Sequence, residues 1–135
     1  MIQSVDSARL ASQISNAAQK NGTSVDVLIQ IKISRDETKS GILFEDLVAS
    51  LESQEWNNQK NINFRGVMGI SSLDGNNTRM EFRALRANFE YLRSTYFSKN
   101  HEFDIISMGM SSDYQIALEE GSNMIRLGSY VFEDL

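Results

Sequence analysis

The chain has 135 residues, 41% of them hydrophobic and 23% charged, which predicts one globular domain with a real core. The net charge of −5, without a basic tract, argues against nucleic acid or an anionic membrane as a partner. No apolar run approaches the ~20 residues that span a bilayer, no signal peptide opens the chain, and the lack of cysteine excludes disulfides and fits a reducing cytoplasm.

The first part of the chain predicts two strands, each followed by a helix. Residues 1–5 are expected to form a short strand, and Asp6 or Ser7 is expected to cap a helix that ends near Lys20. Its predicted inner stripe has helical spacing and consists of Leu10, Ile14, Ala17 and Ala18. Residues 25–33 are rich in β-branched side chains, which predicts a strand covered on both faces and therefore parallel. The next predicted helix has Glu45 and Asp46 in its first turn and Leu47, Val48 and Leu51 inside.

The middle of the chain predicts a third strand and the longest helix. The strand, residues 62–70, contains Gly66 and Gly69, which weaken a strand unless another backbone or ligand passes close by. The helix is predicted over residues 79–98. Its apolar stripe, with spacings of three and four, is formed by Phe82, Leu85, Phe89, Leu92 and Tyr96.

Two short apolar runs near the end of the chain each lead into small, polar residues. Residues 105–108 predict a buried strand, after which Gly109 and Ser111 turn the chain and Asp113 caps a helix that Gly121 ends. Residues 124–127 predict a further strand that ends at Gly128-Ser129. The sequence therefore predicts an α/β protein with order βαβαβαβαβ and a parallel sheet. Backbone N–H groups in such loops can bind phosphate, as after strands seven and eight of α/β barrels.

Several segments of the chain carry a family resemblance in a fixed order. They are Ile2-Gln-Ser-Val-Asp-Ser7, Val27-Leu-Ile-Gln-Ile31, Thr38-Lys-Ser-Gly41, Arg65-Gly-Val-Met-Gly-Ile70, Phe82-Arg-Ala-Leu-Arg86, Ser107-Met-Gly-Met-Ser-Ser-Asp113, Glu120-Gly-Ser122, Ile125-Arg-Leu-Gly-Ser129 and Val131-Phe132. This set resembles the pyridoxal-phosphate homeostasis proteins of the YggS/PROSC type, and the resemblance covers essentially the whole chain.

The resemblance implies an alanine-racemase-like (β/α)₈ barrel. Residues 1–135 would form a single partial barrel domain that holds strands four to eight. The first strand, with the lysine that forms a Schiff base with pyridoxal 5′-phosphate in the family, would be absent. We therefore expect a cytoplasmic cofactor carrier without robust catalysis, and weak or no cofactor binding by this chain alone.

The resemblance also implies roles for individual residues. The cofactor phosphate would be surrounded by Ser107, Gly109, Ser111, Gly128 and Ser129. Arg126 would face the pyridine nitrogen, and a guanidinium there leaves this nitrogen unprotonated, which makes the ring a poorer electron sink. Met68, with Met108 and Met110, would lie near the ring, and Lys39 would lie on a loop at the same face.

Each of these roles has a plainer alternative. The Gly/Ser loops also suit the turns of any α/β protein, Arg126 also suits a surface ion pair with Glu119 or Glu120, and the methionines suit core packing. His101 has no partner in the sequence and is expected to be exposed. No metal-binding spacing is present.

Two further functions remain open from the sequence. The chain could be a half-barrel interaction module that forms a homodimer through open strand edges. It could also be a remnant of a racemase-like enzyme that depends on pyridoxal phosphate.

Overall fold

Five strands and four helices alternate in the computed structural model, which describes residues 1–35, 40–72 and 75–128. The strands are β1 (Ile2–Val5), β2 (Val25–Gln30), β3 (Ile62–Met68), β4 (Ile105–Met110) and β5 (Met124–Arg126). The helices are α1 (Ala8–Lys20), α2 (Phe44–Glu52), α3 (Thr78–Thr95) and α4 (Tyr114–Glu119). The predicted element order is confirmed.

All five strands form one parallel sheet whose spatial order follows the chain, β1-β2-β3-β4-β5. The sheet is curled, because Gln3 on β1 accepts a hydrogen bond from Ser107 on β4 although β2 and β3 lie between these strands. The result is a half-barrel with a concave inner face and helices outside, as predicted.

The main core lies between the sheet and the helices. Fully buried residues of β2 (Val27, Ile29) and of the following segment (Ile31) pack there with Leu47 of α2. The predicted stripe of α3 is confirmed at Phe82, Leu85, Phe89 and Leu92, all of which are buried in this cluster, while Tyr96 is half-buried against it.

The stripe of α1 agrees with the prediction only in part, since Ala18 is buried and Leu10 and Ile14 are half-buried. Its buried residues are Ala11, Ser15 and Ala18, while Ala17 is exposed. Ser15 can be buried because its hydroxyl donates to the backbone carbonyl of Lys60, so no polar atom is left without a partner. The predicted cap is confirmed for Ser7, whose side chain accepts from the Leu10 amide at 3.0 Å.

The strand ends also differ from the prediction. β2 stops at Gln30, since Ile31 makes only an isolated bridge to Ile42, and β3 stops at Met68 rather than residue 70. β4 continues to Met110, so Gly109 lies inside the strand rather than in a turn.

Gly66 shows why a glycine interrupts β3. Its φ is +148°, and a Cβ there would lie 1.9 Å from the Ile105 carbonyl oxygen on β4. The expectation that something passes close to this glycine is confirmed, because the β4 backbone occupies the space of a side chain.

Candidate functional site

Arg126 connects three strands on the concave face of the sheet. From β5, its Nη2 donates to the Gly69 carbonyl oxygen at 3.1 Å, and its Nη1 donates to Ser107 Oγ at 3.3 Å. The alternative in which Arg126 pairs with Glu119 or Glu120 is wrong. These carboxylates bind α3 instead, through contacts of 2.6 Å from Glu119 to Arg79 and 2.7 Å from Glu120 to Arg83.

The Arg126 guanidinium is a partly buried cation. Burial lowers its pKa, and the negative charge of Asp113 partly opposes this effect. An arginine remains charged at neutral pH because its ordinary pKa lies far above neutrality. Among its contacts within the described residues, two of the five N–H donors have protein acceptors, so the group can still donate to a ligand on the concave face.

Ser107 contacts Arg126, and Met68 lies next to Ser107 in the sheet. Met68 and Ser107 are register partners on β3 and β4, and Ser107 is fully buried. Met68 is buried, with 6% of its surface exposed, and Met108 is fully buried in the cluster beneath the helices. Met110, at the end of β4, is 36% exposed. The structure thus brings Arg126 and Ser107 together and places Met68 next to Ser107, while the burial of Met68 and Met108 also agrees with core packing.

Gly109 lets α4 pack directly against β4. Its φ is +106°, and a Cβ there would lie 2.7 Å from the Ala117 Cβ and 3.3 Å from a methyl of Ile125. No ordinary side chain fits this position without moving the helix.

Asp113 holds the loop that follows β4. It occupies the predicted cap position before α4, but its side chain does not cap the helix. Its carboxylate accepts instead from the Met110 amide at 2.7 Å and from the buried Ser71 hydroxyl at 2.6 Å. The half-buried Ser111 in this loop lines a cavity of about 270 Å³ together with residues 112–116.

The remaining predicted positions are less informative. Gly128 is exposed after β5, and Ser129 lies outside the described residues, as do Thr38 and Lys39. His101 is exposed, as expected. In residues 1–35, 40–72 and 75–128, no group of three acidic, histidine or cysteine side chains could hold a metal ion. None of the helices in these ranges has the length and hydropathy needed to cross a membrane.

Three contributors to the site were missed by sequence reasoning. They are Gln3, whose Oε1 accepts from Ser107 Oγ at 2.7 Å, the Ser71 hydroxyl, and the Gly69 carbonyl. Gln3 carried little signal, because it is one of two adjacent polar residues, Gln3 and Ser4, in a predicted strand. Gly69 was marked as a glycine inside a strand, but its carbonyl could not be predicted as an acceptor, and Ser71 looks like an ordinary loop serine.

Comparison with known proteins identifies one matching family and solved structures with the same fold. The family described as the N-terminal domain of alanine racemase matches residues 1–135. The chain is 34% identical over 133 residues to the "Pyridoxal phosphate homeostasis protein" of Haemophilus influenzae, an alignment that covers 97% of this chain and 54% of that protein.

Two solved structures of PipY from Synechococcus elongatus also match. The form without PLP has a TM-score of 0.83 at 31% identity, and the match covers 93% of this chain and 58% of that one. The form described as having PLP bound has a TM-score of 0.78 at 29% identity, with coverages of 93% and 57%. The chain spans about half the length of the curated relatives it matches.

Proposed function

The chain belongs to the family of the alanine racemase N-terminal domain, and from this premise we propose that the protein binds pyridoxal 5′-phosphate. Its role would be that of a cytoplasmic cofactor carrier in homeostasis, without robust catalysis. The relatives named as pyridoxal phosphate homeostasis proteins and the PLP-bound form of PipY support this proposal. The absence of cysteine fits a reducing compartment.

The observation that carries the proposal is the placement of Arg126. Its guanidinium lies partly buried on the concave face between Ser107 and the Gly69 carbonyl, and it has further N–H groups that can donate to a ligand. This arrangement fits an unprotonated aromatic nitrogen, which accepts a hydrogen bond, and disfavours a protonated one, which would add a second positive charge. When bound, pyridoxal phosphate supplies an aldehyde for carrying amines and a ring that withdraws electrons. Because Arg126 would keep the ring nitrogen unprotonated, the ring would withdraw electrons less strongly than a protonated ring, which favours a carrier over an enzyme.

We assign the other contacts by the same premise. Gly109 and Ser111 on β4 and its loop, with Gly128 and Ser129 after β5, would surround the phosphate, and Ser107, whose hydroxyl contacts Gln3 and Arg126, would line the same site. Met68 would contact the ring. The Asp113 contacts with Ser71 and Met110 support this assignment, since they hold the Ser111 loop in one conformation.

We further assign residues 1–135 to a single partial domain with the last five strands of an eight-stranded barrel. The half-length coverage of the relatives supports this assignment. Because β1 pairs only with β2 and β5 only with β4 in the described sheet, both edges have backbone groups available to another strand. We propose that a second copy of this chain covers these edges.

One experiment tests both proposals. The purified chain is sedimented with and without pyridoxal 5′-phosphate, and the absorbance of the cofactor is recorded in the same cell. Cofactor that travels with a dimer supports both. A monomer that carries cofactor contradicts the proposed dimer and supports the proposed cofactor binding. Protein that sediments without cofactor at every cofactor concentration tested contradicts binding by this chain, which we expect to be weak.

A further inference from the structure

A hydrogen-bonded chain crosses the concave face from the last strand to the first. Arg126 Nη1 lies 3.3 Å from Ser107 Oγ, which lies 2.7 Å from Gln3 Oε1. Gln3 and Arg126 sit on β1 and β5, the two edge strands of the sheet. Residues far apart in the sheet therefore share one serine hydroxyl.

The direction of each hydrogen bond in this chain follows from the chemistry of the three groups. A guanidinium can only donate, so Ser107 Oγ must accept from Arg126. The single hydroxyl hydrogen must then go to an acceptor, and the Gln3 side-chain oxygen takes it. This assignment also fixes the orientation of the Gln3 amide, because its NH₂ group at the same place would leave the hydroxyl surrounded by donors.

We propose that Gln3 is a positioning residue for Arg126, and this inference rests on the proposed function. By holding the hydroxyl hydrogen, Gln3 keeps a lone pair of Ser107 directed at the guanidinium. Without that acceptor, the hydroxyl hydrogen of the fully buried Ser107 must turn to another acceptor, which moves the lone pair away from the guanidinium. Arg126 would then be held only by the Gly69 carbonyl and would rotate about that contact.

A purely structural role for Gln3 makes a different prediction. If Gln3 only pairs the Ser107 hydroxyl or stabilises β1, its replacement lowers the free energy of unfolding but leaves the Arg126 guanidinium as ordered as before. The mobility of the Arg126 side chain therefore separates the two roles, and it can be measured on the protein without any cofactor.

The test uses NMR of the arginine guanidinium groups in ¹⁵N-labelled protein, with the Arg126 signals assigned by the variant Arg126→Lys. Gln3→Met keeps the shape of the side chain and removes the strong acceptor. We expect the rotation of the Arg126 guanidinium to become about tenfold faster, as for the loss of one hydrogen bond. Gln3→Glu keeps an acceptor oxygen and should keep slow rotation. Gln13→Met, at an exposed position of α1, is the matched control and should change nothing.

A second comparison keeps the inference testable if Gln3→Met folds poorly. Ser107→Ala removes the shared hydroxyl, so Arg126 should rotate faster in that variant, and adding Gln3→Glu to it should have no further effect on Arg126. Unchanged rotation in folded Gln3→Met, or equal loss of order in Gln3→Glu, would overturn the positioning role.

Cofactor titration then tests the link to function separately. If the unsubstituted chain binds pyridoxal 5′-phosphate, Gln3→Met should weaken binding about tenfold and Gln3→Glu should weaken it less. If the unsubstituted chain binds none, the proposed function fails, whereas the guanidinium measurement still decides whether Gln3 orders Arg126.

Discussion

Arg126 donates to the carbonyl oxygen of Gly69 at 3.1 Å, and this contact joins the end of β3 to β5 across the concave face. Strand β4 lies between these two strands in the sheet. The arginine therefore spans β4 on its inner side and contacts Ser107 there. Two hydrogen bonds from different parts of the sheet restrict the direction of this side chain, which its proposed contact with an aromatic ring requires.

The first prediction concerns the contribution of Arg126 to cofactor affinity. Arg126→Ala removes a charge-assisted hydrogen bond, an interaction worth roughly 1.5–3 kcal/mol, so the affinity for pyridoxal 5′-phosphate should fall about 10- to 100-fold. Arg126→Lys should recover only part of this loss, because a lysine lacks the planar fork. Equilibrium titration of cofactor absorbance measures the effect.

The control for this prediction is Arg9→Ala, since Arg9 is exposed on α1 and distant in sequence from every proposed ligand. Its affinity should match that of the unsubstituted chain. Equal losses in the two variants would mean that net charge, rather than the placement of Arg126, determines binding.

The regular elements were predictable because their signals are local. The stripe of α3 follows from five apolar residues at spacings of three and four, and four of them are buried as predicted. The parallel order of β2 follows from an apolar run in which Val27, Leu28 and Ile29 are all fully buried. Patterns of this kind depend only on neighbouring residues in the chain.

The site was only partly predictable because its contacts are not local. Gln3 and Ser107 are 104 residues apart, and they meet only because the sheet curls. Asp113 is at a helix start, yet its carboxylate binds Ser71 and the Met110 amide, a choice that depends on how two loops pack. In the sequence, Gly109 looks like a turn residue. In the structure it lies inside β4, where the close approach of Ala117 leaves no room for a side chain.

A second prediction tests the close packing at Gly109. Gly109→Ala introduces a Cβ at positive φ and 2.7 Å from the Ala117 Cβ, so it pays both backbone strain and overpacking. Backbone strain costs about 1–2 kcal/mol and overpacking about 1–3 kcal/mol, so the free energy of unfolding should fall by roughly 2–5 kcal/mol. Urea denaturation followed by circular dichroism measures the change.

The matched control is Gly22→Ala. Gly22 has φ of +66° but no heavy atom within 4 Å of the added Cβ, so the substitution introduces backbone strain without overpacking. A loss of stability in Gly109→Ala no larger than that in Gly22→Ala would argue against direct packing of α4 on β4.

A third prediction concerns the buried contact between Ser71 and Asp113. Ser71→Ala leaves the Asp113 carboxylate with its Met110 contact and without a hydroxyl donor, which should lower the free energy of unfolding by about 1–3 kcal/mol. Asp113→Ala leaves the buried hydroxyl and the Met110 amide without this acceptor, so its effect should be the larger one. The loss in free energy of unfolding in the double variant should be well below the sum of the two single losses, since both substitutions remove the same hydrogen bond.

Denaturation of the two single variants and the double variant forms the required thermodynamic cycle. Ser112→Ala, in the same loop but exposed, serves as the control and should stay within about 0.5 kcal/mol of the unsubstituted chain. Fully additive losses would show that Ser71 and Asp113 do not act on each other.

The last prediction uses a tyrosine outside the candidate site to test how α2 and α3 are joined. The Tyr96 hydroxyl donates to the Glu52 carboxylate, and this hydrogen bond, with burial and the negative charge of Glu52, raises the pKa of Tyr96 to about 12. The folded pKa therefore exceeds the ordinary value of 10.0. The stabilisation is fully present below pH of about 10 and is lost as the pH rises through about 12. Glu52→Gln should return the Tyr96 transition toward the ordinary value, whereas Glu55→Gln, exposed nearby in the chain, should leave it in place.

The titration is followed by NMR of tyrosine labelled at Cζ, and Tyr96→Phe identifies the signal. The difference in unfolding free energy between Glu52→Gln and the unsubstituted chain should shrink as the pH approaches 12, because the ionised phenolate no longer donates to Glu52. An ordinary Tyr96 transition in the unsubstituted chain, or a stability difference that grows with pH, would contradict the contact between these helices.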